Sequence, residues 1–368
     1  MYFSKLDIDL IDKTLFEETS MDGGYIIMLA EEDMFYSAAL IELFKLHNRK
    51  FIGGIFPKII DQGNLKERGV IINKIAGKAQ TFVLEAKNKT QNGMQPLVDY
   101  IHQNNPVSAI MYMDGMTPYI SNLLSTVYRY LGTSVRYLGG GAGTSDFVQK
   151  PVVFSEQGML ENSIAIMFTG AEAHISIKHG WEKYKGPFLV TDAKHNFINI
   201  INWEYVFNFF FNVLSKEGVY INANNFREFG SNHPLAFFRE NDEYIIRDPF
   251  MVRKDGELVC VGNVDDNALT YVMKGEREKL TKAAVQSAKE SLQQAGSATN
   301  LIVYSCLSRE HFLGSEIHSE MKEIKSLYHQ FPHSQDFSGA LTLGAFGSMK
   351  TGYLEFFTKS VLTGAIHE

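Results

Sequence analysis

The run Leu138-Gly-Gly-Gly-Ala-Gly-Thr-Ser-Asp-Phe147 follows a strand-like stretch and packs glycine more densely than any other segment. Residues of this type could bring several backbone N–H groups to one point, so Gly139, Gly140, Gly141, Ala142 and Gly143 could cradle an anion. The competing reading is a tight structural turn that needs glycine for its backbone alone. Two phosphate-binding patterns are excluded. A dinucleotide fingerprint needs a helix immediately after the glycines, whereas Pro151 and another strand follow here, and no Gly-Lys-Ser or Gly-Lys-Thr completes a P-loop. Asp146 could offer a carboxylate to an amine or cap the turn. Arg247 and Arg309 are the cations expected near a pocket, since a guanidinium at a strand end can clamp a carboxylate through two parallel hydrogen bonds; a structural ion pair is the alternative for each. Cys306 lies in the same strand-end segment as Arg309, as a small hydrophobe or as a thiol with chemistry. Gly344 opens a second glycine turn, Gly344-Ala-Phe-Gly347.

The eleven histidines form no metal pattern. His174 and His179, His311 and His318, and His329 and His333 are the nearest pairs, and Pro332 spoils the helical spacing of the last. No HExxH or cysteine–histidine zinc arrangement is present. A Ser or Cys nucleophile lacks its usual surroundings, because there is no GxSxG elbow.

The elements that must position these residues follow a repeated order. A buried strand Gly24-Tyr-Ile-Ile-Met-Leu-Ala30, a helix over Asp33 to His47, and strands at Phe51 to Phe56 and Val70 to Ile75 make a β-α-β-β unit. The order recurs from Ser108, with a helix from Pro118 to Leu131, and from Asn300, with a helix from Gly314 to Tyr328. The last two copies are each preceded by a further helix, Gln95 to Gln103 and Glu278 to Gln294. Glycines at Gly53-Gly54, Gly139 to Gly143 and Gly344 to Gly347 are expected at equivalent turns on one sheet edge. Between the second and third copies, Gly180 to Gly275 carries an aromatic helix, Trp203 to Leu214, and strand-like runs around the hairpin signal Asp255-Gly256. The fold class is α/β: repeated β-α-β-β units forming helix-covered mixed sheets in two halves, joined by an antiparallel β element.

A chain of 368 residues with 45% hydrophobic residues can bury a large core. The formal charge of -7, spread over mixed acids and bases, argues against nucleic acid. Two cysteines far apart argue against a disulfide framework and fit a reducing compartment. No secretory signal and no membrane span of ~18 apolar residues is visible, so a cytoplasmic location is expected.

The glycine-rich word at Leu138 to Phe147 resembles the turn of the FIST N-terminal domain. Asn232-His-Pro-Leu-Ala236, Tyr244-Ile-Ile-Arg-Asp-Pro249, Asp255-Gly256, Tyr304-Ser-Cys-Leu-Ser-Arg309 with Gly314, and Tyr353-Leu-Glu-Phe-Phe-Thr-Lys-Ser360 look like successive landmarks of the FIST C-terminal domain. The resemblance implies an N-terminal extension over 1–20 and domains over 21–217 and 218–368. It also implies an intracellular, bacterial sensory protein that binds a small-molecule or gas ligand and acts on a histidine kinase, chemoreceptor or cyclic-di-GMP enzyme. Haem is an implied cofactor, with nitric oxide as its signal and one unspecified axial histidine. Where relatives tend to have an acid in the last glycine turn, this chain has Gly344-Ala-Phe-Gly347, so a role resting on that acid does not transfer. The expected pocket lies between the halves, lined by the Gly139 to Gly143 run, Arg247, Cys306 to Arg309 and Gly344. A hydrolase or transferase acting on an amino-acid-like metabolite is the alternative, and a scaffold without ligand a third.

Overall fold

The computed structural model describes residues 1–16, 23–86, 95–215, 222, 225–239, 243–253, 256–297, 300–332, 334–348 and 352–367, of which 227–229 and 367 by backbone alone. His333 and Asp255 lie outside the described residues.

The repeated order is a threefold one. The first copy runs edge strand Tyr2–Phe3, helix Ile8–Phe16, inner strand Gly24–Ala30, helix Ser37–Leu46, second inner strand Lys50–Phe56, hairpin Lys58–Asp61 and Asn64–Lys66, and return strand Val70–Ile75. In the second copy the same places are taken by Ala79–Glu85, Gln95–Asn104, Ser108–Asp114, Ile120–Leu131, Arg136–Ala142, the hairpin Val153–Ser155 and Gly158–Leu160, and Ser163–Thr169. The third begins with the edge strand Glu172–Lys178 and resumes after an insertion with Arg277–Ala295 and Asn300–Cys306. It then continues through Glu316–Tyr328, Asp336–Thr342, the hairpin Ala345–Ser348 and Leu354–Phe357, and Val361–His367. The first copy thus has the preceding helix that sequence reading found in the other two.

In every copy the two inner strands are parallel, and the return strand pairs antiparallel with the first of them. Each six-stranded sheet is completed by another copy's hairpin. Val153–Ser155 of the second copy joins the first copy's Lys50–Phe56, Ala345–Ser348 of the third joins the second copy's Arg136–Ala142, and Lys58–Asp61 of the first joins the third copy's Asp336–Thr342. The exchange closes in a cycle, so two of the three sheets contain strands from both halves of the chain.

That cycle explains the glycines and corrects their alignment. Gly53, Gly139 and Gly339 face Ile27, Met111 and Val303 at the same register of the parallel pair, and across the exchanged strand they face Phe154, Phe346 and Ile60. A Cβ on Gly53 would stand 2.0 Å from the Phe154 ring, and one on Gly139 would stand 2.2 Å from the Met111 carbonyl oxygen. The equivalent of Gly139 in the third copy is therefore Gly339, not the Gly344 turn, and all three lie inside central strands where close approach, not a turn, excludes a side chain. Helices on the outer faces bury regular apolar stripes, as with Leu123, Leu124, Val127 and Leu131.

The insertion forms a seven-stranded antiparallel sheet including Glu182–Lys194, Tyr244–Val252, Leu258–Val261 and Leu269–Lys274. Its own apolar core gathers Phe209, Phe210 and Phe226 from two short helices against Val190, Ile198 and Leu258. Tyr244–Val252 and Leu258–Val261 pair as the hairpin signal requires.

Candidate functional site

A cavity of about 790 Å³ opens where the second copy, the third copy and the insertion meet, within the size range of small-molecule sites. The body contributes segments just past the carboxyl ends of parallel strands: Gly115 to Ile120 and Phe147 from the second copy, and Cys306 to Ser308, His311 and Thr342 to Gly344 from the third. This is where α/β sheets place ligands, because the chain leaves the sheet there and frees side chains and loops. The insertion supplies the facing wall, Asp248 to Met251 and Val259 to Gly262. Phe147 and Phe250 bring their rings together across the two walls, with centroids 5.8 Å apart.

Two of the residues expected at the site line this cavity, Cys306 and Gly344, and both cysteines of the chain do so. Cys306 places its sulfur 3.1 Å from the Ser308 hydroxyl. Cys260 is buried, which drives its thiol well above the ordinary range, with Asp248 adding to the rise. It therefore stays protonated.

The other expected residues are structural. Gly139 to Ala142 form strand, and the backbone donors there are spent: the Gly141 N–H donates to the Gly344 carbonyl and the Gly143 N–H to the Ile55 carbonyl, both at 2.8 Å. Gly140 packs on Thr342 and Tyr304, and Gly143 on Leu343, so no anion cradle is left. Asp146 is exposed; its carboxyl is held far below the usual range by Lys150, by the Thr144 hydroxyl and by the Val148 N–H, which makes it the turn cap.

Arg309 is fully buried and ion-paired to the equally buried Glu320, and it donates to the His179 and Leu280 carbonyls at 3.1 Å each. Burial pushes Glu320 upward while Arg309 draws it back. Arg247 is 3% exposed. It pairs with Glu355 at 3.2 Å and donates to the carbonyls of Asn263 at 2.6 Å and Phe356 at 3.0 Å. Beside Gly262, it fastens the cavity wall without facing the cavity. Neither arginine lines the cavity.

Sequence reading missed the polar groups that shape the cavity. Asp248, on its wall, forms an ion pair at 3.2 Å with Lys359, which is wholly buried beneath and lies 5.1 Å from the Trp181 ring. Thr358, also lining, donates to the Ile246 carbonyl. Asp114, buried at a strand end, accepts the N–H groups of Met116 and Asn162 and the Gln149 amide; burial raises its carboxyl against these bonds. It thereby fixes the Gly115 to Thr117 wall. Asp248 and Lys359 were both inside motif words quoted for the family, but a word does not say which of its members meet.

His311 is the histidine that lines this cavity. His179 is half-buried elsewhere, accepts the Trp181 N–H on Nδ1, and is pushed down to about 4 by desolvation and then by the Arg309 and Lys178 charges. Among the described residues no group of three or more His, Cys, Asp or Glu side chains could hold a metal ion, and no helix is long and apolar enough to cross a membrane.

Fold and site together define an α/β protein of cyclically exchanged sheets, with a cavity of small-molecule size walled by both parts of its chain. The sequence matches the FIST N domain over residues 27–204 and the FIST C domain over residues 213–348, and it belongs to the FIST family, whose domains are associated with signal transduction and small-ligand sensing. A search of curated proteins found no match.

Proposed function

We propose that this protein is a sensor that takes a small ligand into the 790 Å³ cavity and reports its occupancy to a separate signalling partner, of the histidine kinase, chemoreceptor or cyclic-di-GMP enzyme kind. The supporting observation is the composition of the walls: Gly115 to Phe147 lie in the FIST N match, Asn225 to Gly344 in the FIST C match. A ligand there touches both, which is what a binding event needs in order to bias the arrangement of the whole chain. The protonated Cys260 thiol is not an activated nucleophile, which disfavours a hydrolase or transferase that would use it.

The lining does not fit haem. His311 and Cys306 could each offer an axial donor, but among the described residues no lysine or arginine lines the cavity to receive the propionates, and Arg247 and Arg309 are committed to Glu355 and Glu320. Native mass spectrometry of the purified protein after exposure to a metabolite extract should show a retained, chemically unchanged small molecule in stoichiometric amount, and haem titration should give no saturable Soret band. Turnover of the bound molecule would instead favour the enzyme, and a saturable band would restore the haem reading.

A further inference from the structure

We infer that the cavity selects an uncharged, largely apolar or aromatic ligand and rejects anions, amino acids and nucleotides among them; this rests on the cavity being the ligand site. Among the described residues no lysine or arginine lines it, and the basic side chain that does is the imidazole of His311. Three cations buried near its walls are each paired with an acid: Arg247 with Glu355, which Arg239 shares, Lys359 with Asp248 and Arg309 with Glu320. The one ionisable acid on the lining, Asp248, is balanced in the same way.

Backbone amides at strand ends are the other usual source of anion affinity, and five of those on the lining are occupied. The N–H groups of Gly115 and Leu343 donate to the carbonyls of Ala142 and Gly141, each at 2.8 Å. That of Cys306 donates to the Ser360 carbonyl at 3.1 Å, that of Cys260 to the Asn196 carbonyl at 2.8 Å, and that of Met116 to the Asp114 carboxylate. An anion entering would shed its water and find neither a cation nor these donors. What the cavity does present is Met116, Ile120, Phe147, Phe250, Met251 and Leu343, with Thr342, Thr358 and Ser308 hydroxyls among them. Such walls reward buried apolar area and direct a few neutral hydrogen bonds.

Two dyes with one skeleton test this: neutral N-phenyl-1-naphthylamine and the anionic 8-anilinonaphthalene-1-sulfonate, titrated by fluorescence into wild type and into Ser308→Trp and Met251→Trp, which narrow the cavity from its half-buried base and its exposed mouth. Both variants are first checked for an unchanged melting curve, and Met251, at 45% exposure, tolerates the larger ring if Ser308 does not. The expected result is saturable binding of the neutral dye, binding of the sulfonate weaker by about tenfold or more, and loss of neutral-dye affinity by a similar factor in a folded variant. Equal or tighter sulfonate binding that the variants abolish overturns the ligand class and leaves the cavity as the site. Neutral-dye binding that is absent, or that neither folded variant weakens, overturns the class together with the cavity on which it rests.

Discussion

At the scale of single residues, the arginines show how a charge can sit beside a site and still serve the fold. Arg309 was legible as a cation at a strand end, but its partner Glu320 lies eleven residues on, one helix further along, and no sequence pattern announces that pairing. The same holds for Arg247 and Glu355, which are 108 residues apart. Removing one member of such a pair leaves the other buried without compensation, whereas replacing both by apolar side chains removes the desolvation problem. Arg309→Ala is therefore expected to cost about 3–5 kcal/mol of stability by urea denaturation, with much of the loss recovered in Arg309→Met combined with Glu320→Leu. Neutral-dye affinity in the folded fraction should stay at the wild-type value. An affinity that collapses while the denaturation midpoint holds would return Arg309 to the site.

At the scale of elements, strands and helices were legible because their apolar residues recur at the periods that strands and helices need. Pro118 to Leu131 became Ile120–Leu131 and Gln95 to Gln103 became Gln95–Asn104. What sequence could not carry was the pairing partner. Nothing within Lys58–Asp61 says that it completes a sheet with Ser338 to Leu341, because pairing depends on distant strands reaching the same edge. The glycine word at 139–143 was misread for that reason: without the neighbouring strands, dense glycine looks like a turn. Gly139→Ala should accordingly destabilise the protein by about 3 kcal/mol or more, since the new methyl group meets a backbone carbonyl that cannot step aside. Gly170→Ala, with nothing within 4 Å of its Cβ, should shift the denaturation midpoint little. A Gly139→Ala protein of wild-type stability that had lost its ligand would instead make the strand a binding element.

At the scale of the whole molecule, the cyclic exchange of hairpins constrains how a signal can leave the cavity. A pocket between two halves would let a ligand favour one relative orientation of them. Yet a rotation of one against the other would break the pairings of Ala345–Ser348 with Arg136–Ala142 and of Lys58–Asp61 with Asp336–Thr342, and backbone ladders of this kind yield only in global or sub-global opening. The insertion is not woven into these three sheets. It meets the body through side-chain contacts at the cavity: Asp248 to Lys359, Arg247 to Glu355, the Thr358 hydroxyl to the Ile246 carbonyl and Phe250 to Phe147. A ligand between those walls would thus fix the insertion against the body more readily than it would move the copies. It would fix with it the exposed Trp203 and Tyr205, which stand on the turn into the insertion's outer strand and on that strand. Hydrogen exchange with and without N-phenyl-1-naphthylamine should show added protection in Tyr244–Val252 and Leu258–Val261, while Gly24–Ala30, buried in the first copy's sheet and remote from the lining, exchanges at an unchanged rate. Protection that appears equally in Gly24–Ala30 would mean that the ligand stabilises the three copies as a unit, and that the insertion is a wall of the cavity without being the part that moves.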